Sequence, residues 1–196
     1  INIGKAGRMK NKNIVKILFR ITIIAFAMAN CVLYTKAEEQ ADYQDYVNIL
    51  YNSENGLPTS EANDIAQTAD GFIWIASYSG LIRYDGVSFE RISDENGVAS
   101  ANTLFIDAKN QLWIGTNDNG AMVYDNGEYT CYNVKNGLPS NSVKAICEDS
   151  KGNIYVGTTA GICMIDPEKE EVQEIEDKNI KGAYINSMDI LGDDTV

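Results

Sequence analysis

Apolar residues in this chain fall in short unbroken runs, with no helical spacing between them. The clearest runs are "GFIWIAS" at 71–77, "NQLWIGT" at 110–116 and "GNIYVGT" at 152–158. Their aromatic residues Trp74, Trp113 and Tyr155 stand 39 and 42 residues apart. A period of roughly 40 residues predicts a repeat architecture.

The repetition extends beyond the runs. Each unit opens on Asn55-Gly56-Leu57-Pro58, Asn96-Gly97-Val98-Ala99 or Asn136-Gly137-Leu138-Pro139. An apolar-rich segment follows, then a turn at Gly71, Asn110 or Gly152, residue types that tolerate positive φ. Asp70-Gly71, Lys109-Asn110 and Lys151-Gly152 read as two-residue hairpin turns into the apolar run. A short polar loop leads to a third strand, "LIRYD", "AMVYD" or "ICMID". Turns at Asp85, Asp125 and Asp166 lead into a fourth, and an aspartate before Gly, Asn-Gly or Pro is a turn-capping residue.

Four short antiparallel strands per unit predict an all-β fold, a β-propeller built of four-stranded blades. The second strand of a blade lies inside its sheet with a neighbouring blade on each face, which explains unbroken apolar runs in place of alternation. The expected organisation is a signal segment over 1–37 and an N-terminal segment over 38–54 that could supply a ring-closing strand. Blades follow over 55–95, 96–135 and 136–178, with the start of a fourth over 179–196. Propellers close with about 4 to 8 blades, so about three and a half imply a fragment of a longer protein.

Charge divides the chain at about residue 37. Residues 1–37 hold seven Lys or Arg and no acid, while residues 38–196 hold nine basic and twenty-eight acidic side chains. The acidic part repels phosphate backbones, which excludes nucleic acid as a partner. Residues 9–37 combine Lys10, Lys12, Lys16 and Arg20 with an apolar stretch from Ile21 to Tyr34 and the exit Thr35-Lys36-Ala37. This is a signal-peptide pattern, with Met9 as the expected start. The apolar stretch is shorter than the roughly 20 residues of a spanning helix. Cleavage after Ala37 is therefore favoured over a retained anchor or a lipid attachment at Cys31. The predicted location is the extracytoplasmic face of a bacterial membrane.

The resulting chemistry is sparse. With no histidine in the chain, Ser-His or Cys-His nucleophilic catalysis is excluded, and no catalytic residue, cofactor or metal site is expected. Cys131, Cys147 and Cys163 show no metal-ligand spacing. Cys147 and Cys163 fall on the first and third strands of one blade, about 9.5 Å apart, too far for a disulfide.

The segments "GLPTSEANDIAQTADGFIWIASYSGLIRYDG" and "GLPSNSVKAICEDSKGNIYVGTTAGICMID" resemble two-component regulator propeller repeats. Ala76-Ser77 in the first unit, Val98-Ala99 in the second and Tyr155 in the third depart from that pattern without changing its packing. The resemblance implies an extracytoplasmic sensor propeller, generally seven-bladed. A downstream membrane helix would join it to a cytoplasmic diguanylate cyclase (GGDEF) or histidine kinase, and the whole receptor could dimerise. The first output is marginally favoured, and neither lies in this chain. Binding is expected on the loops at one end of the blades, at Ser60, Asn63, Tyr78, Asn102, Asn117, Asp118, Asn119, Asn141 and Thr159. Their amides and hydroxyls suit a polar ligand such as an oligosaccharide. The competing readings are a secreted propeller enzyme acting on glycans and a protein-interaction scaffold.

Overall fold

The computed structural model describes residues 48–92, 97–192 and 196, so the predicted signal segment lies outside the described residues. The chain divides into two units, residues 1–50 and 51–196. Of the first, the described residues 48–50 are exposed and without regular structure. The second unit contains every described strand.

Among the described residues twelve strands form three antiparallel sheets, each of four consecutive strands. The first holds β1 (Asp64–Gln67), β2 (Ile73–Ser77), β3 (Gly80–Tyr84) and β4 (Phe89–Arg91). The second holds β5 (Ala101–Ile106), β6 (Leu112–Thr116), β7 (Ala121–Asp125) and β8 (Glu128–Tyr132). The third holds β9 (Val143–Glu148), β10 (Ile154–Thr158), β11 (Gly161–Asp166) and β12 (Glu171–Glu174). First strands of successive sheets lie side by side, β1 with β5 and β5 with β9, and β2 and β6 pack on the first strand of the sheet that follows. These are three blades of a β-propeller.

The apolar runs are the second strands β2, β6 and β10, and β6 shows why they do not alternate. Leu112 and Ile114 enter a core with Trp74, Leu81, Leu104 and Met122 of the first and second sheets. Trp113 enters a separate core with Val143, Ile154, Val156 and Ile165 of the third. Both faces of the strand are dry, so period-2 geometry buries every side chain.

The hairpins joining first and second strands differ from the sequence expectation. In each the amide of the first turn residue bonds to the carbonyl four residues on, Thr68 to Phe72, Asp107 to Gln111 and Asp149 to Asn153. The loops therefore hold three residues, a turn followed by a left-handed residue: Gly71 (φ 93°), Asn110 (φ 64°) or Gly152 (φ 85°). A two-residue turn of the expected kind needs positive φ at both central positions, and Asp70, Lys109 and Lys151 do not adopt it. The first turn residue stabilises this shape. Asp107 Oδ1 accepts from the amides of Lys109 and Gln111, and its Oδ2 accepts from Trp113 Nε1 at 2.9 Å. Trp74 Nε1 bonds likewise to Thr68 Oγ1 at 3.0 Å. In the third sheet Tyr155 lacks an indole, and Asn153 Nδ2 takes that place on Asp149 Oδ2.

The segment expected to start a fourth blade forms no strand within the described residues, because it has no antiparallel partner there to make a ladder. It nevertheless runs along the third sheet. Ile185 donates its amide to Thr158 O, and Ile185 and Met188 cover Gly157. Residues 48–54 likewise form no strand.

A Cβ at Gly115 would lie 2.7 Å from Val143 Cγ1 and 2.5 Å from Thr103 Cγ2. Gly115→Ala should therefore cost about 1–3 kcal/mol by overpacking, and Val143→Ala about 2 kcal/mol by opening a cavity. Denaturant unfolding of the double variant should show a loss smaller than the two single losses together by at least about 0.5 kcal/mol. Strict additivity would mean that the two positions do not share the space.

Burial alone would raise the Asp149 pKa, but hydrogen bonds from the Asn153 side chain and from the Asn153 and Lys151 amides, with the Lys151 charge, hold it below its ordinary value. A depressed folded-state pKa contributes stability that is fully present above the unfolded value, about 3.9, and is lost as pH falls through the folded one. Asp149→Asn should be less stable at neutral pH and lose less on acidification below about pH 4. Parallel acid limbs for both proteins would show that Asp149 contributes nothing there.

Candidate ligand surface at the loop end

Antiparallel order gives the sheets two distinct ends. Hairpins between first and second and between third and fourth strands lie at the turn end. The β2–β3, β6–β7 and β10–β11 loops, with the chain running into β1, β5 and β9, lie at the loop end. All nine binding candidates from the sequence are at the loop end.

Asn63, Asn102 and Asn141 bond across to a neighbouring blade, whereas Asn119 and Thr159 bond within their own. Asn63 Nδ2 donates to Ala101 O and Asn102 Nδ2 to Val143 O, both at 2.9 Å, a repeated latch from one first strand to the next. Asn119 Nδ2 donates to Gly97 O, and its amide donates to Thr116 Oγ1. Asn141 Oδ1 accepts from the Val134 amide, and its carbonyl accepts from Gly120 of the preceding sheet. Thr159 Oγ1 pairs with Ser140 Oγ at 2.9 Å. Asp64 adds a charged latch, its Oδ2 accepting from Thr103 Oγ1 and the Leu104 amide.

Ser60, Tyr78 and Asp118 are different. All three are exposed, Tyr78 by 58% despite its large apolar ring. Their side chains make no hydrogen bond or ion pair among the described residues. Asn117 stands between the two groups: Nδ2 donates to Ser100 Oγ, and Oδ1 accepts from Lys144 Nζ at 2.7 Å.

Lys144 was not among the sequence candidates. It occupies the place that Asn63 and Asn102 hold in the first two sheets, as the strand registers show. Its half-buried ammonium has one neutral partner and no carboxylate within ion-pair distance among the described residues. The available signal was a lysine breaking a repeated asparagine, visible only after the first strands are aligned through their cross-strand partners.

The six turn residues lie elsewhere. Gly71, Asn110 and Gly152 sit in the first hairpins. Asp85, Asp125 and Asp166 begin the third-to-fourth-strand hairpins, and all six are at the turn end. Amides of Ser88 and Val87 hold the Asp85 pKa below its ordinary value. Lys169 Nζ, with the Lys169 and Glu168 amides, does the same for Asp166. The three aspartates are thus engaged locally; Asp125 accepts from Gln111 Nε2 and Asn126 Nδ2.

Burial pushes the Cys147 and Cys163 thiols up to about 11 and about 12, so both are protonated at neutral pH and unreactive. All three described cysteines are free. No cluster of His, Cys, Asp and Glu among the described residues could hold a metal ion.

Residues 56–79 and 137–160 match the family described as two component regulator propeller. The chain carries repeats of that family, as its sequence resemblance implied. Among solved structures it is similar to the extracellular domain of a hybrid two component system of B. thetaiotaomicron. Identity there is 24% and the TM-score 0.68, over 78% of this chain and 22% of that one. It is similar to virginiamycin B lyase from Staphylococcus aureus at 18% identity and a TM-score of 0.57, over 68% and 46% of the two chains. PorZ, a surface component of the type-IX secretion system of Porphyromonas gingivalis, gives 18% and 0.59, over 76% and 24%. No curated protein matches the chain. The chain thus spans between 22% and 46% of the length of these structures. At such identities the likeness is one of fold, and a fold shared by a receptor domain and a lyase does not decide between them.

Proposed function

We propose that this chain is the ligand-binding propeller of an extracytoplasmic sensor in a membrane-bound bacterial signalling protein. A downstream membrane helix would carry the signal to a cytoplasmic diguanylate cyclase or histidine kinase, and the whole receptor would work as a dimer. The observation that carries the ligand-binding part is the division of labour at the loop end. Repeated amides are consumed in latches between sheets, whereas Ser60, Tyr78 and Asp118 project unbonded from the rigid frame those latches make. Function on rigidly held loops is the common arrangement in such scaffolds.

The ligand class that suits this surface is an oligosaccharide. Tyr78 offers an exposed aromatic face, Ser60 and Asp118 offer hydrogen bonds to hydroxyls, and Lys144 offers spare N–H donors beside Asn117. Binding would act by favouring one of two arrangements of the receptor, which requires differential affinity for them.

Location and binding can be tested separately. Alkaline phosphatase fused after residue 196 in a bacterial host should be active, since that enzyme requires an oxidising compartment, and should lose activity when residues 1–37 are removed. An inactive fusion with residues 1–37 present would overturn the extracytoplasmic assignment.

For binding, the chain is titrated with a panel of neutral and uronic-acid oligosaccharides by calorimetry. Tyr78→Ala and Asp118→Ala should weaken binding at least about tenfold with stability changed by under about 0.5 kcal/mol. Asn102→Ala should instead cost about 1 kcal/mol of stability. Binding that survives both loop variants would refute the loop-end reading.

A further inference from the structure

A cleft of about 130 Å³ opens at the turn end, between the first and second sheets, on the opposite end from the loops discussed above. Its rim carries Asp70, Arg83, Lys109, Asn110, Asp125 and Asn126. Behind them stand aromatic walls from Phe72, Trp74 and Tyr124. Arg83 is the residue that sets this seam apart. It pairs across from Trp74, a position filled by Val123 opposite Trp113 and Met164 opposite Tyr155. A cation therefore stands where the repeat otherwise places an apolar side chain.

The site is held in shape before any ligand arrives. The Arg83 guanidinium lies 4.5 Å from the Phe72 ring centroid and is fixed by Glu90 at 2.6 Å. One contact of that kind leaves most of its five N–H donors for other partners. Asn110 Oδ1 bonds to the Ala69 amide at 2.7 Å and fastens the two neighbouring turns together. Asp70 Oδ1 accepts from Thr68 Oγ1, which also receives the Trp74 indole N–H. Gln111 and Asn126 fix the Asp125 carboxylate.

The chemistry of the rim narrows the ligand. Two cations and two carboxylates face one small space, and each cation already has an acidic partner, Arg83 with Glu90 and Lys109 with Glu168. An anionic ligand would meet Asp70 and Asp125, and a cationic one would meet Arg83 and Lys109. Hydroxyl groups satisfy both sets, because each donates one hydrogen bond and accepts others. The volume is that of one six-membered ring, since a cavity of about 150 Å³ holds benzene. We propose that this cleft is a binding site for one polyhydroxylated ring, a single sugar residue or cyclic polyol. This inference is independent of the loop-end reading, which concerns the other end of the sheets.

The test is a two-dimensional ¹H–¹⁵N NMR titration of the chain with glucose, galactose, mannose, N-acetylglucosamine and inositol, with glycine betaine and glucuronate as charged probes. The two tryptophans give two indole N–H signals. Trp74 donates to Thr68 Oγ1 on the cleft wall, whereas Trp113 is buried in the next core. At least one neutral probe should move the Trp74 signal saturably, with a dissociation constant on the order of 1 mM as expected for so few atoms, and leave Trp113 in place. Arg83→Met and the exposed-site variant Lys109→Ala should each weaken that response at least about fivefold while loop-end Asp118→Ala leaves it unchanged. The spectra themselves report whether each variant is folded, and Lys109→Ala serves if Arg83→Met is not. The proposal is overturned if no neutral probe moves Trp74 by about 50 mM, if Trp113 moves equally, if a charged probe binds more tightly than every neutral one, or if a folded cleft variant responds like the parent.

Discussion

How closely a second strand can approach the first strand of the following sheet governs the whole arrangement. At Gly115 the gap admits no Cβ, because Val143 and Thr103 already fill it, and at Gly157 Ile185 and Met188 do the same. The first sheet has Ala76 at this place, and across the seam the position of Val143 is taken by Ala101. Both alanines are fully buried in one core. The larger residue on one side is matched by the smaller on the other, so the spacing between sheets stays compatible with dense packing at each seam. The change from "IGT" to "IAS" is therefore a compensated variant of the same joint.

Polar groups obey the same discipline. Second strands packed on both faces leave no water to satisfy side chains inside, and no described buried side-chain nitrogen or oxygen lacks a partner. Asp107 serves the turn amides and an indole at once, Asn63 and Asn102 bridge neighbouring first strands, and Asp64 ties β1 to β5. Each such bond contributes only about 1 kcal/mol. Its larger effect is to fix the register between sheets, since a slipped sheet would leave those groups buried and unpaired.

The sequence made the strands legible because their signal is strong and local: apolar runs, positive-φ residues and aspartates at turns recurring in step. The hairpin loops are one residue longer than the sequence suggests: Asp-Gly suits a two-residue turn, whereas Asp107 and Asp149 accept turn amides from the preceding position and Thr68 donates its hydroxyl to Asp70. The nine loop residues share one end of the sheets, but their different roles are not legible in the sequence. Asn102 and Asp118 are equally polar in sequence; only the structure shows that one spans a seam and the other is unbonded. Lys144 and Arg83 carry no sequence signal of their own because each lies inside a strand, and they stand out only by breaking a position that the other sheets repeat.

That contrast between repeated and unrepeated positions makes the seams the places best suited to recognition. A repeated residue is constrained by two neighbouring sheets and has its hydrogen bonds committed, so it is poorly suited to recognition. An unrepeated polar residue at a seam is held by the same frame without being consumed by it. Arg83, stacked on Phe72 and anchored to Glu90, faces Asp125 and Lys109 of the next sheet, while Lys144 of the third sheet reaches Asn117 of the second. A ligand gripping such groups contacts two sheets at once, so its binding energy bears on their relative position instead of on one loop. Sheets this densely packed resist gradual deformation, and a ligand at a seam can therefore act only by favouring one discrete arrangement over another.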